Sequence, residues 1–210
     1  MTQKFPLVRL VDDDELFRTS QALMLQMNGF AIATYASAQE FLERDDPDRP
    51  GCVILDVRMP TMTGLELQEV MQQRGWRIPI LFLTGHGDIS MAVRTMQLGA
   101  VDFLEKPVPP AKLVEKVRHH VEASLAMWDR EHERQQLHAI WESLTPREQQ
   151  VIVFAADNLG NKEIAQQLTI AETTVKMHRA NAFAKFGINN ALDAYRLLSK
   201  IGVLAEEKAR

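Results

Sequence analysis

The sequence predicts an α/β unit built on a five-stranded parallel sheet, followed by an all-helical unit. Three observations predict it. Short apolar runs alternate with helical patterns five times before residue 121. Repeated strand–helix alternation of this kind means a parallel sheet with helices on both faces. Residues 111–145 contain no glycine or proline, so a helical extension joins the two halves. After residue 145 the apolar residues recur at helical spacing.

Each element has its own reason. Residues 7–11 are an apolar run ending in Asp12-Asp13-Asp14. The pattern at 15–28 carries Leu16, Phe17, Leu23, Met24 and Met27 and stops at Gly29, a residue that ends helices because it tolerates the left-handed conformation. Residues 31–35 read as the second strand, and Ser37 caps a short helix running to residue 43. A polar, proline-containing loop follows. Val53, Ile54 and Leu55 form a run suited to burial on both faces, closed by Asp56. Residues 65–74 are helical up to Gly75, 78–84 form a strand, 89–98 are helical up to Gly99, and 101–105 form the last strand. A helix starts near Pro110. Its stripe of Leu113, Val117, Val121, Leu125 and Trp128 runs into a wholly polar stretch, 129–136, before Leu137, Ile140, Trp141 and Leu144 resume. Gln, Glu and Arg are good helix formers, which favours one long helix over a flexible linker.

In the second half Thr145 caps, Pro146 suits the first helical position and Glu148 closes a capping box. That helix runs to about residue 158. Helices at 161–168, 172–186 and 190–201 follow. A short helix, a tight turn and a second helix carrying the basic residues is the helix-turn-helix pattern. The domains read as 1–121, a helical extension at 122–142, and 143–210.

Strand ends of a parallel α/β sheet share one edge, and ligands bind there. Asp12 and Asp13 close the first strand, Asp56 the third and Thr84 the fourth, while Lys106 follows the fifth. Carboxylates gathered at one place repel each other and recruit a cation. A hard ion with oxygen ligands fits, Mg²⁺ in particular or Mn²⁺ in its place. Asp56 is then placed to attack a phosphoryl group, Lys106 to balance its charge and Thr84 to hydrogen-bond one of its oxygens.

Composition narrows the class. The net charge of −4 hides a division. Residues 1–121 hold 13 basic and 16 acidic side chains, whereas 173–190 hold three bases and no acid. A locally basic helix in an acidic chain points to a nucleic-acid face. The single cysteine, Cys52, permits no disulfide framework, which fits a reducing, cytoplasmic setting and a buried, inert thiol. No apolar run approaches the roughly 18 residues of a membrane span. His119-His120 is a surface pair, since adjacent helical residues do not share a face. His86 is explained by the polarity of its loop.

The motifs "VDDD" (11–14), "LDVRMPTMTG" (55–64), "LTGHGD" (83–88) and "GAVDFLEKP" (99–107) resemble the receiver domain of two-component response regulators, the flavodoxin/CheY-like fold. The resemblance implies Mg²⁺ on Asp13, Asp56 and the backbone carbonyl of Arg58, with Asp12 assisting through water. It implies phosphorylation of Asp56, phosphate binding by Lys106, and a switch pair of Thr84 and Phe103. In relatives the surface formed by the fourth helix and fifth strand makes the active dimer; Met91, Val93 and Met96 lie on or near that helix here.

The segments "LTPREQQV" and "NKEIAQQLTIAETTVKMHRANAFAKF" resemble the LuxR/NarL/FixJ-type DNA-binding domain. On a helical wheel Val175, Ala182 and Phe186 share a core face. Thr173, Met177, Ala180 and Ala184 lie opposite, with Lys176 and Asn181 at the flanks. Small Ala180 admits the helix deep into the major groove. Lys176 suits guanine, and Met177 or Ala180 suits a thymine methyl. Thr173 and Thr174 open the helix, and His178 matches a family histidine. Lys162, Arg179 and Lys185 are placed for phosphates, although Arg179 is equally placed to pack its stem inside. Ala171 stands where relatives carry a capping serine, and Asn158 where they carry glycine.

The resemblance is to the FixJ/NarL family, and within it to StyR-type regulators. It implies a sensor histidine kinase as donor, a phosphorylated homodimer, double-stranded promoter DNA and RNA polymerase as partners, and no membrane. Two alternatives share parts of the pattern. A haloacid-dehalogenase-type phosphatase also uses a strand-end Asp, a Thr and a Lys, but places a second Asp where this chain has Arg58. A receiver acting through protein contacts alone would use the helical domain as a partner-binding module.

Overall fold

The computed structural model describes residues 5–85 and 99–204. The expected helix at 89–98, with Met91, Val93 and Met96, and His86 lie outside the described residues. The elements are β1 (Leu7–Val11), α1 (Glu15–Met27), β2 (Ile32–Tyr35), α2 (Ala38–Arg44), β3 (Gly51–Leu55), α3 (Gly64–Gln73), β4 (Ile80–Thr84), β5 (Asp102–Glu105), α4 (Pro110–Glu142), α5 (Pro146–Ala156), α6 (Asn161–Leu168), α7 (Glu172–Phe186) and α8 (Ala191–Lys200). The chain divides into two compact units, Met1–Trp128 and Asp129–Arg210.

In the first unit the five strands are all parallel, in the order β2-β1-β3-β4-β5. Alternation along the strands sorts the core into two layers. Val11, Val53, Leu55 and Phe82 pack with Phe41 of α2 and with Leu67 and Met71 of α3. Leu10, Ile54, Leu81 and Leu83 pack with Leu25 of α1 and with Leu113 and Val117 of α4. Each such fully buried aliphatic side chain stabilises by about 1.5–3 kcal/mol. Ser37 accepts a hydrogen bond from the Glu40 backbone and caps α2 as expected. Thr63 and Glu66 form a reciprocal capping box on α3.

The register decides what meets at the sheet edge. Val11 pairs with Leu55, so the next residues, Asp12 and Asp56, emerge side by side. Thr84 pairs with Glu105, which brings Lys106 beside the end of β4. No statement about either acid alone predicts this meeting; the β1–β3 pairing does.

A charged residue of β1 sits in the core. Arg9 of β1 is wholly buried, with its Nε 3.0 Å from both carboxylate oxygens of Asp45. Its remaining N–H groups donate to the carbonyls of Leu7, Asp46 and Arg49. The Tyr35 hydroxyl donates to Asp45 as well, at 2.7 Å. This network ties the loop before β3 to the centre of the sheet. Trp128 Nε1 of α4 donates to the Asp48 carbonyl, and Ser124 Oγ accepts from the Gly51 backbone.

The 33-residue α4 is one continuous helix, as the good helix formers of 129–136 suggested. Its first part belongs to the first unit and its last part to the second. The units therefore divide between Trp128 and Asp129 rather than on either side of a linker at 122–142. The physical reason is packing: Leu137 is buried in the second core, Trp141 packs against it, and Lys200 of α8 pairs with Glu133.

That second core gathers Val151, Ile152 and Ala155 of α5, Ile164 of α6, Val175, Ala182 and Phe183 of α7, and Ala194 and Leu198 of α8. Phe183, not Phe186, is the buried aromatic of α7; Phe186 is half-buried. Thr145 and Glu148 form the expected capping box. Asn158 takes the left-handed conformation at φ 64°. Ala171 caps α7 without a side-chain hydrogen bond.

Replacing Arg9 by methionine leaves the Asp45 carboxylate buried without its partner, a change that costs about 3–5 kcal/mol. Urea denaturation of Arg9→Met should show the first unit's transition shifted by that amount, with the second unit's transition unmoved.

Candidate functional site

The pocket at the sheet edge is built from four strand ends and α1. Asp12, Asp56 and Thr84 are buried, at 2%, 6% and 1% exposure. Lys106 Nζ lies 2.6 Å from Asp12 Oδ2 and 3.2 Å from Asp56 Oδ1. The same ammonium stands 3.9 Å above the centroid of the Phe17 ring, a cation–π contact. Asp12 Oδ1 accepts from the Asp14 backbone, and Asp56 Oδ2 accepts from the Arg58 backbone at 2.9 Å. Lys106 N donates to the Thr84 carbonyl, so the backbone fixes where its side chain begins. The Arg18 guanidinium donates to the Asp12 carbonyl at 2.6 Å.

The loop after β3 closes on this pocket through Gly64. A Cβ at that position would lie 2.2 Å from the Asp56 carbonyl oxygen. Only glycine lets α3 begin so close to the acid.

Electrostatics favour a further cation. Two carboxylates share one ammonium. Burial pushes the Asp12 carboxyl above its ordinary value, against the hydrogen bonds from Lys106 and the Asp14 backbone that pull it down. Hard oxygen donors with surplus negative charge fit an ion such as Mg²⁺, which takes one or two carboxylates and completes its shell with water and phosphate oxygens. Asp13 is exposed, and among the described residues no group of three or more His, Cys, Asp or Glu is disposed to hold a metal ion. The donors that the structure brings together are Asp12 and Asp56.

Phe103 sits half-buried on the α2/α3 side of the sheet, opposite Phe82 in register. Its neighbour Asp102 is bound by Lys116 at 2.8 Å and His120 at 3.4 Å. Burial opposes the Asp102 charge, but Lys116, the Phe103 backbone and His120 together hold the carboxyl below its ordinary value. His120 is thereby an internal partner rather than part of a surface pair. Burial pushes the Cys52 thiol up to about 12, which leaves it inert.

The second candidate surface is one face of α7. Thr173, Lys176, Met177, Ala180, Asn181 and Ala184 are all exposed, the face the wheel picks out. Met177 keeps 52% of its surface. Lys176 pairs loosely with Glu172 at 3.2 Å, and Lys162 is exposed on α6. Thr174 and His178 are half-buried. Arg179 donates to Asn161 Oδ1 at 3.1 Å and stacks over Phe183, so it ties α7 to α6.

Lys185 has internal partners too. Its ammonium lies 2.8 Å from Glu148 Oε2 and 3.1 Å from the Ser143 carbonyl. A phosphate would compete with both. Sequence reasoning missed this pair, and it missed Phe17, Arg18 and Gly64 at the first site. A signal existed for Phe17 and Arg18, which open α1 immediately after the acids. None existed for Lys185, whose partner lies 37 residues away.

The Lys185 ammonium first, and the Thr145 backbone second, hold the Glu148 carboxyl at about 2 against an ordinary 4.5. A depressed carboxyl stabilises fully above its ordinary value and loses that contribution as pH falls through its folded value. Acid titration of the second unit's stability from about pH 5 to about pH 2 should therefore fall more steeply in the wild type than in Glu148→Gln.

Comparison with known proteins gives a family for each unit. Residues 8–118 match the response regulator receiver domain family, and residues 142–198 match the bacterial regulatory proteins of the luxR family. The chain is 36% identical to the transcriptional regulatory protein FixJ of Azorhizobium caulinodans, over 100% of this chain and 99% of that one. It is 34% identical to the response regulator protein TodT of Pseudomonas putida strain F1, over 96% and 88%. The solved structure of the response regulator StyR superposes with a TM-score of 0.87 at 39% identity, covering 93% of this chain and 99% of that one. Among the described residues no helix is long and apolar enough to cross a membrane.

Proposed function

This chain belongs to the two-component response regulators that join a receiver to a LuxR-type DNA-binding domain, and it regulates transcription under phosphorylation control; we propose that Asp56 is the residue that takes the phosphoryl group. The observation that carries the reading is Lys106, held between the buried carboxylates of Asp12 and Asp56.

A sensor histidine kinase presents a phosphohistidine. An Asp56 carboxylate oxygen attacks phosphorus, the N–P bond breaks, and the imidazole leaves with the bonding pair. The product is an acyl phosphate on Asp56. Lys106 already faces Asp56 at 3.2 Å, so its ammonium meets the incoming negative charge with little rearrangement, which is the economy of a preorganised site. Thr84, at the end of β4, hydrogen-bonds a phosphoryl oxygen. Mg²⁺, or Mn²⁺ in its place, would be held by Asp12, Asp13, Asp56 and the Arg58 carbonyl. When bound, it would neutralise the charge that four acidic and phosphoryl groups concentrate there.

Thr84 and Phe103 then carry the change outward, on adjacent strands and two register positions apart. The phosphorylated chain forms a homodimer whose α7 helices enter paired major-groove half-sites of promoter DNA, with RNA polymerase as the downstream partner. Lys176, Met177 and Ala180 read base edges, Thr173 and Thr174 open the helix towards the groove, and Lys162 holds a phosphate. A cytoplasmic location fits a DNA target and a single inert thiol. Self-phosphotransfer and self-dephosphorylation are the only chemistry; the haloacid-dehalogenase alternative lacks its general acid, since Arg58 contributes a backbone N–H there.

Incubated with acetyl phosphate and Mg²⁺, the wild type should gain one phosphoryl group by intact mass and tighten on promoter DNA; Asp56→Asn should do neither. A full response from that variant would remove Asp56 from the scheme. Lys176→Ala should weaken sequence-selective binding by about 1–3 kcal/mol while leaving phosphorylation intact, measured by fluorescence anisotropy on DNA.

A further inference from the structure

Lys185 stands on the last turn of α7, the helix that presents the DNA face; 38% of its side chain stays accessible, yet its ammonium is held by internal partners. Its ammonium meets the ends of two other helices at once. It donates to Glu148 in the first turn of α5 at 2.8 Å and to the Ser143 carbonyl just beyond α4 at 3.1 Å. The Glu148 residue is 5% exposed. Its carboxylate also accepts from the Thr145 backbone at 2.9 Å, and its own backbone donates to Thr145 Oγ1. The cap of α5 and the anchor of α7 are therefore one hydrogen-bonded node. The carbonyl that Lys185 reaches is one of the orphan acceptors at a helix C-terminus, where a cation is favoured. Nearby, Gln149 Nε2 of α5 donates to the Trp141 carbonyl at 3.0 Å, so α4 and α5 are fastened at the same corner.

We propose that Lys185 is a positioning residue for DNA reading: it sets the pose of α7 through Glu148 and Ser143, and it does not hold a DNA phosphate. The inference rests on the DNA-binding reading above. The energetic argument is that moving Lys185 to a phosphate would leave a nearly buried carboxylate without its cation, a larger loss than one exposed phosphate contact returns. The middle of α7 is held by Arg179 to Asn161 of α6. Two internal bonds thus fix the helix at its middle and at its last turn.

The test compares Lys185→Met with Lys185→Gln in the full chain, treated with acetyl phosphate. Both lose the charge, but only glutamine keeps a donor for Glu148 and Ser143. The probes are the duplex that the wild type selects from a random 20-base-pair pool and an unselected random duplex. Circular dichroism confirms folding at the assay temperature. The proposal expects Lys185→Met to bind the selected duplex about tenfold more weakly, with Lys185→Gln closer to wild type. The dependence of log Kd on log salt should match the wild type in both variants. A phosphate contact predicts the opposite: equal losses in both variants on both duplexes, and a salt slope smaller by about one. That result overturns the proposal, and the glutamine variant, which keeps the node's donor, delivers it if the methionine variant fails to fold. A wild type that enriches no sequence overturns the DNA-binding reading itself, together with this role.

Discussion

Two acids are forced together by backbone pairing, and a single lysine holds them there. Val11 and Leu55 are partners in adjacent parallel strands, so Asp12 and Asp56 must emerge next to each other. Like charges at that spacing in a buried place oppose folding unless a cation intervenes. Lys106 intervenes, from a strand two places away, and the Phe17 ring steadies its far side. A wholly satisfied pocket would have no reason to accept a ligand. This one keeps surplus negative charge around an ammonium that two groups share, the feature that the proposed metal and phosphoryl group would meet.

The second unit answers a different constraint. A helix that reads DNA must expose small and apolar side chains to solvent when no DNA is present, as Met177, Ala180 and Ala184 do. Such a face contributes nothing to the core, so the helix must be held by what remains. Val175, Ala182 and Phe183 bury one side, Arg179 binds the middle and Lys185 the last turn. Basic residues on a recognition helix thus divide into those facing outward and those that hold the helix in place. Charge alone does not distinguish the two kinds.

The same division of labour appears in α4. A helix of 33 residues with a polar middle looks like a spacer. Its ends are not spacer at all. Ser124 and Trp128 bind the loop before β3, while Leu137 and Trp141 complete the second core. The boundary falls inside the helix because apolar anchors lie on both sides of the polar stretch.

The elements, their order and their caps were legible from residue types: Thr145 with Glu148, Asn158 in a left-handed turn, Ser37 before a short helix. These depend on neighbours a few positions apart, and local hydrogen bonding decides them. The acids, the threonine and the lysine of the first site were legible too, because strand ends in a parallel sheet share an edge. Tertiary structure decided the rest. Arg9 reads as an ordinary strand residue until Asp45 and three carbonyls surround it. Lys185 reads as a DNA contact until Glu148 reaches it from 37 residues away. Asp12 is buried while its neighbour Asp13 is exposed, a difference that no spacing encodes. Local chemistry follows from local sequence; the partner of a charge is set by the fold, because only packing brings distant chain segments within hydrogen-bond reach.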